Sequence, residues 1–221
     1  MLSCTRSLAR WGTLGRGAVG LRTSLSRLRQ GIEPRSVNTG STRSLSFSFP
    51  GPRRLADITN LPLLEKESPE RVREIWQAYH DERKDTVGMA LPGEDLLALR
   101  GRASRCPLFI LPVFRENGYF MVVSQCQDSA FFLTFLEDYK QDPSAAAPYL
   151  TVGTFDDLVE SKGLGLIRGD VTPNLTKKES ERLMRLLLRY YSEAWYPTVE
   201  DFNLRPDNFN LEDFLARVPQ T

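Results

Sequence analysis

Three short runs of β-branched, aromatic and aliphatic residues follow one another almost without interruption: Leu108 to Phe114, Tyr119 to Cys126 and Ala130 to Leu136. Glu116-Asn117-Gly118 and Gln127-Asp128-Ser129 lie between them. Such short, turn-forming separators join neighbouring strands as hairpins, so the three runs form an antiparallel meander. This constrains the fold more than any other feature of the chain. Ala147 to Val152 supplies a fourth strand and Gly165 to Val171 a fifth, with a short helix over Phe155 to Ser161 between them.

Helical sequence flanks the strands. Ser68-Pro69-Glu70 is a helix start: a hydroxyl that can accept from an orphan N–H, a proline at the first helical position, and an acid facing the positive end of the dipole. Val72, Ile75, Trp76 and Tyr79 continue it as an apolar stripe running to about Lys84, and a second helix covers Glu94 to Ser104, with Leu96, Leu97 and Leu99 as candidates for burial. Thr176-Lys177-Lys178-Glu179 has the spacing of a capping box, and Leu183, Leu186, Leu187, Tyr190 and Tyr191 give the helix it opens a wide apolar face. Beyond Pro197 the alternation predicts an extended segment over Val199 to Arg205, followed by a terminal helix over Leu211 to Val218. Helices, several antiparallel strands, then helices describe an α+β fold, a mainly antiparallel sheet with helices packed on one face. A length of 221 residues fits one such domain and an appendage.

The appendage is N-terminal. Of 29 Lys and Arg and 28 Asp and Glu, ten arginines and one acid, Glu33, lie between Met1 and Ala56, leaving 19 basic and 27 acidic residues in the remainder. Leu8, Trp11 and Leu14, then Leu21, Leu25, Leu28 and Ile32, fall on one face of a helix while Arg6, Arg10, Arg22 and Arg29 lie elsewhere. Lysine-free, Arg- and Ser-rich amphipathic sequence has the form of a mitochondrial presequence, and Gly31 to Arg54 reads as linker, with cleavage expected between about Arg22 and Arg54. The expected organisation is a disordered leader over residues 1–56 and one folded domain over 57–221. No stretch is apolar enough to span a bilayer, and the acidic balance of the body is unsuited to nucleic acid.

Few residues offer chemistry. His80 is the one histidine of the sequence, so a multi-histidine metal site is excluded; beside Asp81 and Glu82 it reads as a surface imidazole. Cys4, Cys106 and Cys126 form no C-x-x-C pair, and Cys106 reads as a buried small hydrophobe. Glu94-Asp95, Asp156-Asp157 and Glu212-Asp213 sit near predicted helix starts and are assigned to capping. Gly163-Leu164-Gly165 with Gly169 has neither dinucleotide nor P-loop spacing and reads as turn glycine entering a strand. Arg168-Gly169-Asp170 and Asn174-Leu175-Thr176 are read as coincidental matches to an integrin tripeptide and a glycosylation acceptor. No catalytic, cofactor or metal residues are assigned.

Several landmarks then coincide in order: Ile75-Trp76 with Tyr79 and His80, Lys84-Asp85-Thr86-Val87, Cys106-Pro107-Leu108-Phe109, Gly118-Tyr119, and Val199-Glu200-Asp201-Phe202-Asn203-Leu204-Arg205-Pro206 followed by Phe209. Together, over Ser68 to Leu215, they resemble the mitochondrial ATP synthase F(1) complex assembly factor 1 family. The resemblance implies a matrix chaperone that binds the unassembled beta subunit of the F(1) catalytic head and prevents its aggregation until the alpha subunit replaces it, with no cofactor, no nucleic acid and no membrane insertion. Phe202, Leu204, Arg205 and Trp76 are the residues it offers as partner contacts. In the extended reading of that segment Phe202 and Leu204 share one face and Asn203 and Arg205 the other, and Arg205 pairs a carboxylate. Two alternatives come from other classes: an enzyme using Cys106 or carboxylate chemistry, and an RNA-binding sheet stacking bases on Phe131, Phe132 and Phe135.

Overall fold

The computed structural model describes residues 53–219; the expected presequence and the linker up to residue 52 lie outside the described residues. Two short helices, α1 (Leu55–Ile58) and α2 (Leu61–Leu64), lead into α3 (Pro69–Asp81), strand β1 (Thr86–Pro92) and helix α4 (Gly93–Arg105). The meander follows as β2 (Leu108–Arg115), β3 (Gly118–Gln127) and β4 (Ala130–Phe135), then α5 (Leu136–Gln141), β5 (Pro148–Phe155), α6 (Val159–Lys162) and β6 (Leu164–Val171). Helices α7 (Lys177–Tyr190), α8 (Tyr196–Leu204) and α9 (Leu211–Arg217) close the chain.

All six strands form one antiparallel sheet in the order β1-β6-β5-β4-β3-β2. The expected α+β class and the meander are present. Strand β1, unanticipated because Gly88, Ala90 and Pro92 dilute its β-forming residues, returns to pair with β6 from Thr86↔Asp170 to Pro92↔Leu164. Six flat strands would set the outer two roughly 24 Å apart. Helix α7 touches both β1 and β2, so the sheet curls about it.

Register then sorts the core. Val87, Ile167, Val152, Phe131, Leu133, Val122 and Phe109 join Leu96, Leu99, Leu183, Leu187, Tyr190 and Phe214 in the main cluster, under α4, α7, α8 and α9. Successive residues of a strand point to opposite faces, so Leu164 and Leu166 of β6 meet a second cluster with Leu55, Leu64, Val72, Trp76, Phe155 and Leu158. Helices α1 to α3 therefore cover the reverse face beside β1. Close helix approach needs glycine: a Cβ on Gly165 would stand 2.7 Å from the Leu96 side chain. Thus Gly165 works inside β6, as a packing residue.

The helix signals are realised locally. Ser68 Oγ accepts from the Arg71 N–H at 3.2 Å. Thr176 and Glu179 exchange both bonds of the capping box, and Arg115 clamps Glu179 at 2.7 Å while donating to the Asn174 carbonyl. Helix α3 stops at Asp81, short of the expected Lys84, because Lys177 Nζ gathers the carbonyls of His80, Asp81 and Arg83 at 2.6, 3.1 and 2.7 Å as the chain turns into β1.

Candidate functional site

The segment expected to be extended is helix α8. Pro197 occupies its first turn, and Tyr196, Val199 and Phe202 recur at three-residue steps as its buried face. That period is visible in the sequence; the alternation around Phe202 is the local pattern that obscured it. The helix separates residues an extended chain would have grouped. Phe202 is buried edge-on against Phe109 and Phe209, with centroids 5.6 and 5.2 Å apart, whereas Leu204 is 57% exposed. Arg205 follows as the C-cap, and its Nε donates to Asp201 at 2.7 Å on the surface. It thus pairs a carboxylate, one helical turn back.

Asn203 has a distinct part. Its Oδ1 accepts from the Leu108 N–H at 3.2 Å, and its Nδ2 donates to the Leu108 carbonyl at 2.6 Å and the Val199 carbonyl at 2.8 Å. The Pro107 carbonyl accepts from Cys126 N–H at 2.7 Å, which sets the phase of the β2–β3 ladder so that Leu108, Ile110, Pro112 and Phe114 direct their backbone groups away from β3. The amide thus closes Leu108 at the free edge of β2, and Pro112 has no N–H to offer there.

Trp76 lies on the other face of the sheet, 3% exposed, with its indole N–H donating to the Ile167 carbonyl at 3.2 Å. Of the four residues offered as partner contacts, Leu204 and Arg205 reach the surface together, while Phe202 and Trp76 belong to separate cores. His80 is a correction: it is fully buried, completing the Val72, Trp76, His80 stripe at four-residue steps. Its Nδ1–H donates to the Trp76 carbonyl at 2.7 Å, its ring stands 4.4 Å from the Trp76 ring, and Nε2 has no partner among the described residues. Burial, with Arg168, Lys177 and Arg83 nearby, pushes its pKa below the usual imidazole value. Gly88 makes room for it, since a Cβ there would fall 2.4 Å from Nδ1.

The residues considered for catalysis are engaged structurally. Cys106 is buried and its carbonyl accepts from Tyr191 Oη at 2.7 Å. Burial, reinforced by Asp128, pushes the Cys126 thiol up to about 11, and burial holds Tyr191 well above the usual phenol range. Glu94 and Asp95 lie in the first turn of α4, Glu212 and Asp213 in that of α9, and Asp156 pairs with Arg100 at 2.5 Å. Phe131 packs on Tyr191 in the core, and Phe135 stacks on Tyr149 at 6.0 Å. Arg168 and Asp170 pair with one another at 2.7 Å along β6.

Two grooves flank α7. One, of about 470 Å³, lies against Pro112, Val113 and Phe114 of β2; the other, of about 360 Å³, runs along residues 87–91 of β1, with Gln77 and Asp81 of α3 on one side and Lys177, Glu181 and Arg185 of α7 on the other. The sequence carried no signal for the second, because it depends on β1 being an outer strand.

A six-stranded antiparallel sheet curled about one helix, with its helices divided between two faces, defines an α+β domain with grooves along both outer strands. The chain belongs to the ATP11 protein family, whose model matches residues 28–215. It is 28% identical over 190 residues to the Homo sapiens ATP synthase mitochondrial F1 complex assembly factor 1, covering 84% of this chain and 55% of the relative. The Mus musculus protein of that name is 27% identical over 181 residues, covering 80% and 56%, and the Danio rerio protein 24% over 177 residues, covering 78% and 58%. The chain thus spans a little over half the length of these relatives.

Proposed function

We propose that this protein is an assembly chaperone of the mitochondrial ATP synthase F1 complex, which holds the unassembled beta subunit in the matrix until the alpha subunit takes its place, without catalysing a reaction. Membership of the ATP11 family, over nearly the whole described domain and with relatives named as F1 assembly factors, carries this reading. Cys106 is buried, Glu94 and Asp95 lie in the first turn of α4, and Asp156 pairs with Arg100, which accords with a binding role. Leu204 and Arg205, exposed side by side at the end of α8, are the members of the expected contact set able to touch a partner in the folded domain.

The test is suppression of aggregation. Purified protein mixed with isolated beta subunit, without nucleotide, should prevent light scattering at a near-stoichiometric ratio. Protection of the alpha subunit alone, or an absolute requirement for ATP hydrolysis by the factor, would refute the reading. Deletion of residues 1–54 should leave the protein in the cytosol, and efficient import of that truncated chain would refute the presequence.

A further inference from the structure

The reverse face of the sheet is packed at its sides, and its middle is buried without a helix of its own. Helices α1 to α3 lie over β1 and the ends of β5 and β6. Helix α5 lies over β3 and β4, where Tyr139 Oη donates to Gln125 Oε1 at 3.3 Å. Between them Arg168 of β6, Thr151 and Gly153 of β5 and Phe132 of β4 share the reverse face, because they are register partners of one another and lie at even steps from Leu166. Among the described residues, the principal contacts of β5 are with its neighbouring strands β4 and β6. Even so, Gly153 is buried, Arg168 is 5% exposed, and Thr151 and Phe132 are half-buried. Burial across the middle of a sheet face calls for a covering layer. Arg168 is neutralised by Asp170 beside it, so an uncharged layer suits this surface.

We infer that the cover is the chain's own Leu45–Phe49, laid in extended form over β4 and β5 and retained in the mature protein. Leu45-Ser46-Phe47-Ser48-Phe49 alternates strictly and carries no charge. Its Leu and Phe side chains share one side and its hydroxyls the other, the pattern of a segment that buries one face. The tether decides which face that is. Leu55 packs in one cluster with Phe155, which stands four residues along β5 from Thr151, roughly 13 Å away. Six residues lead back from Leu55 to Phe49 and span up to roughly 20 Å when extended, and Pro50 and Pro52 favour that form. Phe49 therefore reaches Thr151, with Phe47 and Leu45 continuing across the same face. A segment held this close outcompetes one from a second copy, because its effective concentration is set by the short link. The ATP11 family model also begins at residue 28, well ahead of the first described helix, as suits a segment belonging to the domain. The inference is independent of the chaperone function, and it narrows the presequence: cleavage falls ahead of Leu45.

The test places a photoreactive benzoylphenylalanine at position 47 of the full chain and maps the cross-link by mass spectrometry. We expect attachment within the same molecule to residues of β4 or β5. Attachment elsewhere in the domain, attachment to a second copy, or no attachment overturns the inference. Two sets of substitutions in the full chain give an independent measure. Thr151→Lys sets a charge on the face, which would matter little were that face bare. Beneath an apolar layer it should lower the melting temperature by roughly 5 °C or more. The triple variant Leu45→Ser, Phe47→Ser and Phe49→Ser should fall by a similar amount, and adding Thr151→Lys to it should cost little more, because the cover can be lost only once. An unchanged melting temperature in either variant, or losses that simply add, overturns the inference. Should Thr151→Lys not fold, the triple variant and the cross-link decide it. Finally, the protein recovered from mitochondria should begin ahead of Leu45 when its N-terminus is sequenced; a mature chain beginning at or beyond Leu45 overturns the inference.

Discussion

Replacing Asn203 asks whether one amide closes the β2 edge. Asn203→Ala removes three hydrogen bonds, two to Leu108 and one to Val199. Each is worth about 0.5–1.5 kcal/mol net. Asn203 and Leu108 are half-buried, so water can replace part of the loss, and a total of about 2 kcal/mol is expected. For a domain of this size that is a drop in melting temperature of roughly 4–8 °C. Asn203→Asp is more discriminating. Its carboxylate can still accept from the Leu108 N–H, but it faces two carbonyl oxygens where the amide donated, so at neutral pH it should be less stable than Asn203→Ala. The aspartate's folded pKa is then raised above its unfolded value. The native state binds the proton more tightly, and the deficit should shrink as pH falls through the raised folded pKa towards the unfolded one, near 4. Thermal unfolding of the three proteins at pH 7 and pH 5 measures this. An Asn203→Asp protein as stable as the parent at neutral pH, or one whose deficit grows on mild acidification, would refute the edge-closing role.

Phe202→Ala should cost about 3–5 kcal/mol in denaturant unfolding, since it empties a site walled by Phe109 and Phe209; a loss below about 1 kcal/mol would contradict core packing. Arg205→Ala removes a surface pair with Asp201 and should leave the melting temperature nearly unchanged, so any loss of beta-subunit capture in it reports contact. His80 has a folded pKa below its unfolded value, so its contribution is intact above the unfolded pKa near 6.5 and is lost as pH falls towards the folded one, at up to about 1.4 kcal/mol per pH unit. A His80→Gln variant should flatten that slope, and an unchanged pH profile would count against the burial argument. Thr176→Ala should cost about 1 kcal/mol by opening the capping box on α7, read from the urea midpoint at constant slope.

What the sequence by itself determined is what depends on neighbours along the chain. The β2–β3–β4 meander was legible because its turns are short, and α3 and α7 because Ser68 and Thr176 cap them within one turn. Cys106 was legible as a buried residue, and Glu94-Asp95 and Glu212-Asp213 as residues at helix starts, since both readings rest on local context; Asp156 instead lies ahead of α6 and pairs with Arg100. Tertiary structure decided the rest. Strand β1 exists because β6 supplies its partners from a distance, and residues as weakly β-forming as Gly88 and Ala90 give no local sign of it. α8 is a helix because Tyr196, Val199 and Phe202 find one core beneath them, an outcome that the same residues read as a strand would equally have permitted. His80 is buried although flanked by acids, because its carrier helix lies over Gly88 and the ring faces the sheet. The two grooves belong to no stretch of sequence at all: they arise where a curled sheet brings both of its edges to a single helix, and the amide that closes Leu108 on β2 comes from α8, nearly a hundred residues further along the chain.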